Sequence, residues 1–289
     1  MSKSLIARIL EAVLRATKLK YMDSKEEVDK FIENPPKTKV PKRLFKSKEM
    51  DGCEVFTFGD ENAENTILYV HGGAYVLEIN FFQLLHCRKL AKKLNAYVVA
   101  PVYPLAPLNK TNQTYDLLTP LYEKLSSRKN LILMGDSGGG FVYSFCQHIR
   151  NTDLPQSHRI ITYSPWVDIS MSNTSYNSEE DATLGDIGLR EIGKTWAGDW
   201  DTQDYRVSPL FGDNSNLPDT LIFVGGEELF YDDINKFVDK LKKDGVNAKL
   251  SVGEGMFHIY PVFPISESNQ VVGEIQEYLN EWIFKQRVF

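Results

Sequence analysis

The residues best suited to covalent chemistry lie in the stretch NLILMGDSGGGFVYSFCQH, residues 130–148. An apolar run ends in Gly135-Asp136-Ser137-Gly138-Gly139, and an apolar pattern resumes directly afterwards. This G-x-S-x-G pattern is typical of a nucleophile elbow, in which a sharp strand-to-helix turn exposes a serine hydroxyl. Two other interpretations are a glycine-rich turn at a sheet edge and a phosphate-binding loop, but the lysine of the G-x-x-x-x-G-K-[ST] pattern is missing. The sequence therefore favours Ser137 as a nucleophile.

A second glycine-rich segment, His71-Gly72-Gly73-Ala74, follows the apolar stretch TILYV. Two glycines after a strand let main-chain N–H groups face the negative oxygen of a tetrahedral intermediate without obstruction by side chains. We expect the amides of Gly72, Gly73 and Gly138 to form an oxyanion hole, and His71 to anchor the loop rather than to react. The alternative is an ordinary Gly-Gly turn.

A serine hydroxyl is a poor nucleophile near neutral pH, so a base is required. Of the five histidines, His258 lies in the segment GEGMFHIYPVF, on a loop past the last predicted strand, where such a base belongs. His86 and His148 fall on predicted helices, and His158 lies at the wrong end of a strand. The sequence predicts His258 as the base, with a buried structural histidine as the alternative.

A carboxylate must hold the imidazole in the correct tautomer and stabilise the imidazolium ion. The candidates are Glu227, Glu228, Asp232, Asp233 and Asp168. Asp232 and Asp233 begin a predicted helix, where acidic residues commonly interact with the helix dipole. Glu228 lies just beyond a strand and keeps the chain order serine, acid, histidine. We therefore expect Glu228 to be the acid.

These groups meet only if the chain forms a largely parallel sheet. Strands are predicted at 66–70, 96–100, 131–134, 159–164, 220–226 and 248–252, with helices at 80–94, 113–126, 138–150, 232–243 and 268–285 and a hairpin from KRLFKSK to CEVFTFG. Continuous apolar strands separated by helices indicate an α/β protein whose mostly parallel central sheet has helices on both faces. Ligands bind at the carboxyl ends of such strands, and all the candidate groups fall at that edge.

Composition limits the classes of partner. The net charge of the 289-residue chain is −6, with thirteen Lys+Arg and seven Asp+Glu in residues 1–50 but twenty and thirty-two in the remainder. An acidic body argues against nucleic-acid binding.

No apolar run approaches the ~20 residues of a membrane-spanning helix, and we expect no secretory signal and no stable membrane insertion. Scattered cysteines at 53, 87 and 146 predict free thiols and a cytoplasmic location.

The chain resembles the hormone-sensitive-lipase-like family of α/β-hydrolases, especially bacterial carboxylesterases and acetyl-hydrolases. The similar segments are YVHGGAY, VYPLAP, GDSGGG, SPWVD, EELFYDD and GMFHIYPVF, and the resemblance covers about residues 55–285. The spacing between Glu228 and His258 also agrees with that of the family. The chain departs from the family pattern at three positions: Glu228 replaces the usual aspartate, Ala74 stands where a third glycine often occurs, and Gly138 replaces the usual alanine.

The resemblance implies the α/β-hydrolase fold with a helical cap. From the change of pattern along the chain, we expect N-terminal cap helices at 1–45, an α/β-hydrolase domain at 46–289, and a cap insertion at about 169–206. Tyr75, Trp166 and Tyr205 are candidates for the substrate pocket, with core packing as the alternative for each aromatic ring.

The activity that the resemblance implies is that of a serine carboxylesterase with a catalytic triad of Ser137, Glu228 and His258. It would hydrolyse short-acyl carboxylic esters through an acyl-enzyme, with no metal or organic cofactor. Two alternatives stay open: an amidase or deacetylase using the same triad, and a catalytically inactive ligand-binding member of the fold. A small-molecule ester is the expected partner. Homo-oligomerisation and contact of the basic N-terminal helix with membranes also stay open, although a cap helix is the preferred interpretation of that segment.

Overall fold

A computed structural model describes residues 3–16, 24–34, 40–41 and 43–287, with only the backbone described for Glu27 and for residues 282–287. The strands are β1 (Ser47–Met50), β2 (Cys53–Phe58), β3 (Asn65–Val70), β4 (Ala96–Pro101), β5 (Asn130–Asp136), β6 (Arg159–Tyr163), β7 (Thr220–Gly225) and β8 (Ala248–Gly253). The α-helices are α1 (Leu5–Ala16), α2 (Lys25–Glu33), α3 (Phe81–Lys93), α4 (Thr111–Ser126), α5 (Gly140–Ile149), α6 (Asp186–Ala197), α7 (Tyr231–Lys243) and α8 (Ser266–Arg287).

The described strands form one sheet in the order β1-β2-β4-β3-β5-β6-β7-β8. β2 pairs antiparallel with both β1 and β4, and every other neighbouring pair is parallel. The predicted hairpin and the mostly parallel sheet are thus confirmed. Each helix that connects two parallel strands crosses over a face of the sheet, because parallel neighbours cannot be joined by a tight turn.

Strand β5, which leads to the candidate nucleophile, lies in the interior of the sheet between β3 and β6. All seven of its residues are buried. Its sequence is apolar without alternation because helices cover both faces of the sheet, so that neither face meets water. A strand held from both sides and both faces is a rigid support for the residues at its carboxyl end.

Helices pack on both faces of the sheet, and each face has its own apolar core. One core includes residues from α4, α5 and α7. The other includes residues from α3 and α8 together with the inner side of α1, which contributes Ala7 and Leu14. This two-sided arrangement agrees with the predicted architecture.

Three helices, α1, α2 and α6, stand outside the alternation of strands and helices. The segment that precedes α6 is fixed to the first turn of α7, since the carboxylate of Asp233 accepts hydrogen bonds from Asn173 Nδ2 at 3.1 Å and from the hydroxyl of Tyr176. The division into cap helices at 1–45, a body at 46–289 and an insertion at 169–206 stays a prediction. Residues 1–2, 17–23, 35–39 and 42 of the first segment lie outside the described residues.

Candidate active site

Ser137 lies at the carboxyl end of β5, in a single 3₁₀ turn over Ser137–Gly139 that leads directly into α5. Its φ angle is +50°, in the left-handed region that non-glycine residues seldom adopt. The Ser137 carbonyl accepts a 2.7 Å hydrogen bond from the Trp166 amide. A strained serine held in this way between strand and helix has the backbone geometry of a nucleophile elbow.

Gly140, the last glycine of the GDSGGG segment, allows α5 to begin close to the loop that follows β6. A Cβ atom at this position would lie 1.8 Å from the carbonyl oxygen of Trp166. Since no side chain fits within that distance, the glycine is required by the close approach of two backbones. The elbow and the loop at Trp166 therefore have one fixed spacing.

His258 lies on the loop between β8 and α8, and its imidazole meets the carboxylate of Glu228. His258 Nδ1 is 3.2 Å from Glu228 Oε1, and both side chains are buried. His258 Nε2 is also buried and has no hydrogen-bond partner among the described residues. Because a carboxylate can only accept, Nδ1 carries the proton of the neutral ring, and Nε2 is the nitrogen that can receive one.

The second carboxylate oxygen of Glu228 is held by two donors. Oε2 accepts hydrogen bonds from the Ser164 hydroxyl at 2.6 Å and from the Gly225 amide at 2.8 Å. The Ser164 hydroxyl in turn accepts from the Ile259 amide at 3.0 Å. Ser164 thus joins the loop of the acid to the loop of the histidine. Sequence reasoning gave it no role, although its place at the start of SPWVD, directly after β6, was a usable signal.

The other carboxylates considered from the sequence are directed elsewhere. Glu227 faces Lys3, and Asp168 accepts from the backbone and hydroxyl groups of Ser170 and Ser172. Asp232 is exposed on α7, and Asp233 accepts from Asn173 and Tyr176 in the segment that precedes α6. Of the five candidates, Glu228 is the one that the structure brings to the imidazole.

The pKa of His258 is raised above the usual histidine value. Burial of the ring lowers it, but the negative charge and hydrogen bond of Glu228 outweigh burial, and the charges of Asp181 and Asp136 act in the same direction. Asp181 also accepts a 2.7 Å hydrogen bond from the Leu229 amide, so it helps to fix the loop that carries Glu228. The surroundings of the ring therefore favour the imidazolium ion, as a general base requires.

The amide of Gly72, expected in the oxyanion hole, is already engaged. It donates a 3.0 Å hydrogen bond to Oδ1 of Asp136, which also accepts from the Tyr69 hydroxyl at 2.7 Å. Oδ2 of Asp136 accepts from Gln83 Nε2 at 2.8 Å. The role predicted for the Gly72 amide is therefore wrong. This amide instead fixes the glycine-rich loop to Asp136, the residue before Ser137. A buried carboxylate needs several donors, and the Gly72 amide is one of them.

In the described part of the chain, the amides of Gly73, Ala74 and Gly138 near the elbow donate to no acceptor. Gly73 and Ala74 have φ angles of +119° and +50°. Ala74 was missed because the sequence pattern directed attention to the glycines, whereas any residue type supplies an amide. These amides are therefore candidate donors for an oxyanion hole.

His71 anchors the loop, as its position in the motif predicted. Its Nδ1 is 2.7 Å from the Gly72 carbonyl, and its ring stacks on Tyr103 at a centroid distance of 4.4 Å. The Tyr103 hydroxyl donates to the His71 carbonyl at 2.7 Å. Burial lowers the pKa of His71 to about 4, so this ring is neutral and has no role as a cation near neutral pH.

A row of packed aromatic rings extends from the imidazole past the elbow, with an edge-on contact between His258 and Phe230 and stacked contacts thereafter. The centroid distances are 5.3 Å for His258–Phe230, 5.9 Å for Phe230–Trp166, 5.7 Å for Trp166–Tyr75 and 4.5 Å for Tyr75–Trp196. The Tyr75 hydroxyl donates to the Gly138 carbonyl at 3.2 Å. All of these rings are buried, so they form a rigid wall beside Ser137.

Of the three predicted pocket residues, Tyr75 and Trp166 belong to this aromatic row. Tyr205 is half-buried, and its backbone carbonyl accepts a hydrogen bond from the Ser144 hydroxyl at 2.7 Å.

In the described part of the chain, no cluster of three or more histidine, cysteine or acidic side chains could hold a metal ion. Nor does any helix there have the length and apolar character needed to cross a bilayer.

The family model of the α/β hydrolase fold matches residues 67–262. The chain is 29% identical over 229 residues to an esterase from Acinetobacter venetianus, covering 75% of each chain. It is 27% identical over 210 residues to an acetyl-hydrolase from Streptomyces hygroscopicus, covering 69% of this chain and 70% of that one. The crystal structure of an esterase from the bacterial hormone-sensitive lipase family superposes with a TM-score of 0.81 and 23% identity, covering 97% of this chain and 99% of the other.

Proposed function

The chain belongs to the α/β-hydrolase fold family and is a carboxylic ester hydrolase, and we propose that it hydrolyses short-acyl esters through an acyl-enzyme formed on Ser137. The observation that carries this proposal is the state of His258. Its Nδ1 faces a buried carboxylate, while its Nε2 is buried without a partner in the described part of the chain. An imidazole prepared in this way at the edge that also holds a strained serine is suited to general-base catalysis.

In the acylation step, the oxygen of Ser137 attacks the ester carbonyl carbon while His258 Nε2 takes the hydroxyl proton. The negative charge that develops on the carbonyl oxygen is stabilised by the amides of Gly73, Ala74 and Gly138, and the charge on the imidazolium is stabilised by Glu228. When the tetrahedral intermediate collapses, the bond to the alcohol oxygen breaks, and His258 returns its proton to the leaving alkoxide.

Deacylation repeats the same proton transfers with water. His258 takes a proton from a water molecule, the resulting hydroxide attacks the acyl carbon, and the bond to the Ser137 oxygen breaks as that oxygen regains a proton from His258. The products are a carboxylic acid and the free enzyme. The nucleophile, the base, the acid and the oxyanion donors of this scheme are all supplied by the chain.

The limited space beside the nucleophile supports a short acyl group. Ser137 and His258 are only 6% and 3% exposed, and the aromatic row of Phe230, Trp166, Tyr75 and Trp196 is buried next to them. The relative from Streptomyces hygroscopicus is an acetyl-hydrolase, which favours the same substrate class. We propose that acetyl and similar acyl groups fit against this wall, whereas long chains require the rings to move.

The decisive assay compares p-nitrophenyl acetate hydrolysis by the unchanged protein, Ser137→Ala and the control Ser127→Ala, which alters an exposed serine. We expect Ser137→Ala to lower kcat/KM by at least ~1000-fold, while Ser127→Ala has no effect. A phosphonate ester probe should label Ser137, as read by peptide mass spectrometry. Residual turnover by Ser137→Ala at the original rate would exclude the serine mechanism.

Two matched substrate series test the finer parts of the proposal. Across acetate, butyrate, octanoate and laurate esters, kcat/KM should fall beyond butyrate, and preference for laurate would contradict the short-acyl assignment. With acetanilide and the corresponding phenyl acetate, faster anilide cleavage would indicate an amidase. A folded protein that binds esters but turns over none would be a ligand-binding member of the fold.

A further inference from the structure

Helix α1 presents apolar side chains on both of its sides. Ala7 and Leu14 face the core, but Leu5, Ile6, Ile9 and Val13 on the opposite side are 72%, 62%, 56% and 51% exposed. These four residues follow helical spacing and form one continuous strip, here called the apolar stripe. Exposed apolar side chains that are contiguous along a helix are typical of an interaction surface, whereas isolated ones need no explanation.

Charges around the apolar stripe are arranged by sign. The one acidic residue of α1, Glu11, is turned toward the protein and pairs with Lys3 and, at 3.0 Å, with Arg15. Arg8 is exposed, and no negative charge of the helix accompanies it on the outer side. The sequence directly after the helix, Thr17-Lys18-Leu19-Lys20, adds two lysines. The outer side of α1 is therefore apolar with the exposed Arg8 beside it, and the sequence that follows the helix is basic.

We propose that the apolar stripe is a docking surface for an anionic lipid bilayer, on which α1 lies in the plane of the interface. An apolar face beside an exposed arginine, in a basic stretch of sequence, matches the boundary between acyl chains and negatively charged headgroups. The charge distribution of the whole chain steers this orientation, because residues 1–50 carry an excess of basic residues and the remainder is acidic. An anionic surface attracts the basic N-terminal part of the chain, which includes α1, and repels the acidic remainder.

The position of α1 gives this docking a consequence for the candidate active site. Lys3 Nζ is 3.5 Å from Glu227 Oε2 and 6.0 Å from the centroid of the Phe257 ring. These two residues are the direct neighbours in sequence of Glu228 and His258. At the other end of α1, Arg15 donates to the Glu180 carbonyl at 2.6 Å, in the segment that precedes α6. Docking through α1 therefore brings the triad edge of the sheet close to the lipid surface.

Vesicle co-sedimentation with the full chain tests this proposal without requiring any enzymatic activity. The protein is mixed with vesicles of phosphatidylcholine containing phosphatidylglycerol, or of phosphatidylcholine alone. We expect binding to the anionic vesicles, weaker binding to the neutral ones, and release from the anionic ones as salt is raised, because exposed charges are screened.

The matched variants are Ile6→Asp/Ile9→Asp on the apolar stripe and the control Phe211→Asp. Phe211 is 42% exposed and lies in a 3₁₀ turn that packs against α5, on the other face of the sheet from α1. We expect the double variant to bind anionic vesicles at least about tenfold more weakly, since each isoleucine loses apolar burial and gains a repelled charge. The control should bind like the unchanged chain. Ile6→Ala/Ile9→Ala, which adds no charge, should weaken binding by several-fold and serves if the aspartate variant does not fold.

Three outcomes would overturn the proposal. The first is no binding of the unchanged chain to anionic vesicles, and the second is equal binding by the double variant and the control. The third is a dimer, seen by sedimentation velocity, that dissociates in both stripe variants while vesicle binding is absent. That result would assign the apolar stripe to contact between two copies of the chain. Thermal unfolding followed by circular dichroism checks that each variant is folded.

Discussion

The hydroxyl of Ser164 donates a 2.6 Å hydrogen bond to Oε2 of Glu228, the carboxylate that faces the imidazole of His258. The same hydroxyl accepts from the amide of Ile259, the residue after the histidine. One small side chain at the end of β6 therefore sets the position of two loops that come from β7 and β8. A carboxylate held by several donors keeps one orientation, which a triad acid needs.

Ser164→Ala should lower kcat for ester hydrolysis by about tenfold or more, because a hydrogen bond to a charged group contributes about 1.5–3 kcal/mol. KM should change little, since Ser164 contacts no expected substrate position. The control is Ser144→Ala, which removes another fully buried serine hydroxyl, bonded to the Tyr205 carbonyl at 2.7 Å. Both variants should lose similar stability in urea unfolding. Equal losses of kcat in the two variants would show that Ser164 acts only through stability.

Glu228→Gln should lower kcat/KM by at least ~100-fold, because an uncharged amide neither stabilises the imidazolium nor selects its tautomer. Asp232→Asn removes a carboxylate four residues away in sequence, on the exposed side of α7, and should leave the rate unchanged. Steady-state kinetics with p-nitrophenyl acetate distinguish the two. If both variants lost the same activity, the acid would have been assigned incorrectly.

The pH dependence of kcat/KM reports the protonation of His258 in the free enzyme. Catalysis requires the neutral ring, so the rate should rise with pH through the pKa of His258. Glu228 raises that pKa, and the acid limb should therefore lie above the ordinary histidine value of about 6.5. In Glu228→Gln, the charge that favours the imidazolium is gone, and the residual activity should show its acid limb at lower pH. An unchanged limb would mean that another group controls it.

The sequence was sufficient for the features that depend on local pattern. Each predicted helix and strand of the sheet is present. A central strand such as β5 is buried on both faces, so its residues form a continuous apolar run that predicts a strand. Ser137 and His258 could be predicted as nucleophile and base because glycine spacing and loop position are also local features. The prediction of Glu228 as the acid relied on the chain order serine, acid, histidine, and the structure places its carboxylate beside the imidazole of His258.

What the sequence could not supply depends on contacts between distant segments. Gly72 and Gly73 look equivalent in HGGA, and only the folded chain shows that the Asp136 carboxylate engages the first of these amides. Ser164 is an ordinary serine until β6 brings it between Glu228 and Ile259. The exposed side of α1 was also hidden, because an apolar stripe that faces solvent has the same periodicity as one that faces a core.

Gly140→Ala should destabilise the chain by at least about 2 kcal/mol, because a methyl group cannot be accommodated 1.8 Å from the Trp166 carbonyl without displacing backbone. Gly273→Ala is the matched control: it lies in α8 with no atom within 4 Å of the added Cβ. That variant should be neutral or gain about 0.5–1 kcal/mol from helix propensity. Urea unfolding measures both. A Gly140→Ala variant of unchanged stability would mean that α5 can move away from the Trp166 loop at little cost.

The carboxylate of Asp136 is surrounded by donors, and this arrangement predicts a specific pair of substitutions. Asp136→Asn can still accept from Tyr69 and Gly72 through Oδ1, but its Nδ2 meets the Nε2 of Gln83, so two donors face each other. Gln83 cannot turn over to relieve this, because its Oε1 accepts from the Asn80 amide at 2.8 Å. We expect the single variant to lose about 1–3 kcal/mol of unfolding free energy, the cost of a buried unsatisfied polar group.

Adding Gln83→Glu to Asp136→Asn should restore part of that stability, because a carboxylate at position 83 accepts from both the Asn80 backbone amide and the new side-chain amide at position 136. The exchange keeps one buried negative charge and every hydrogen bond, and it only reverses the direction of the bond between the two side chains. Gln83→Glu alone places two buried carboxylates against each other and should be the least stable of the three. A double-mutant cycle from urea unfolding gives the coupling energy between the two positions. A coupling near zero would mean that the bond between Gln83 and Asp136 does not hold the elbow to α3.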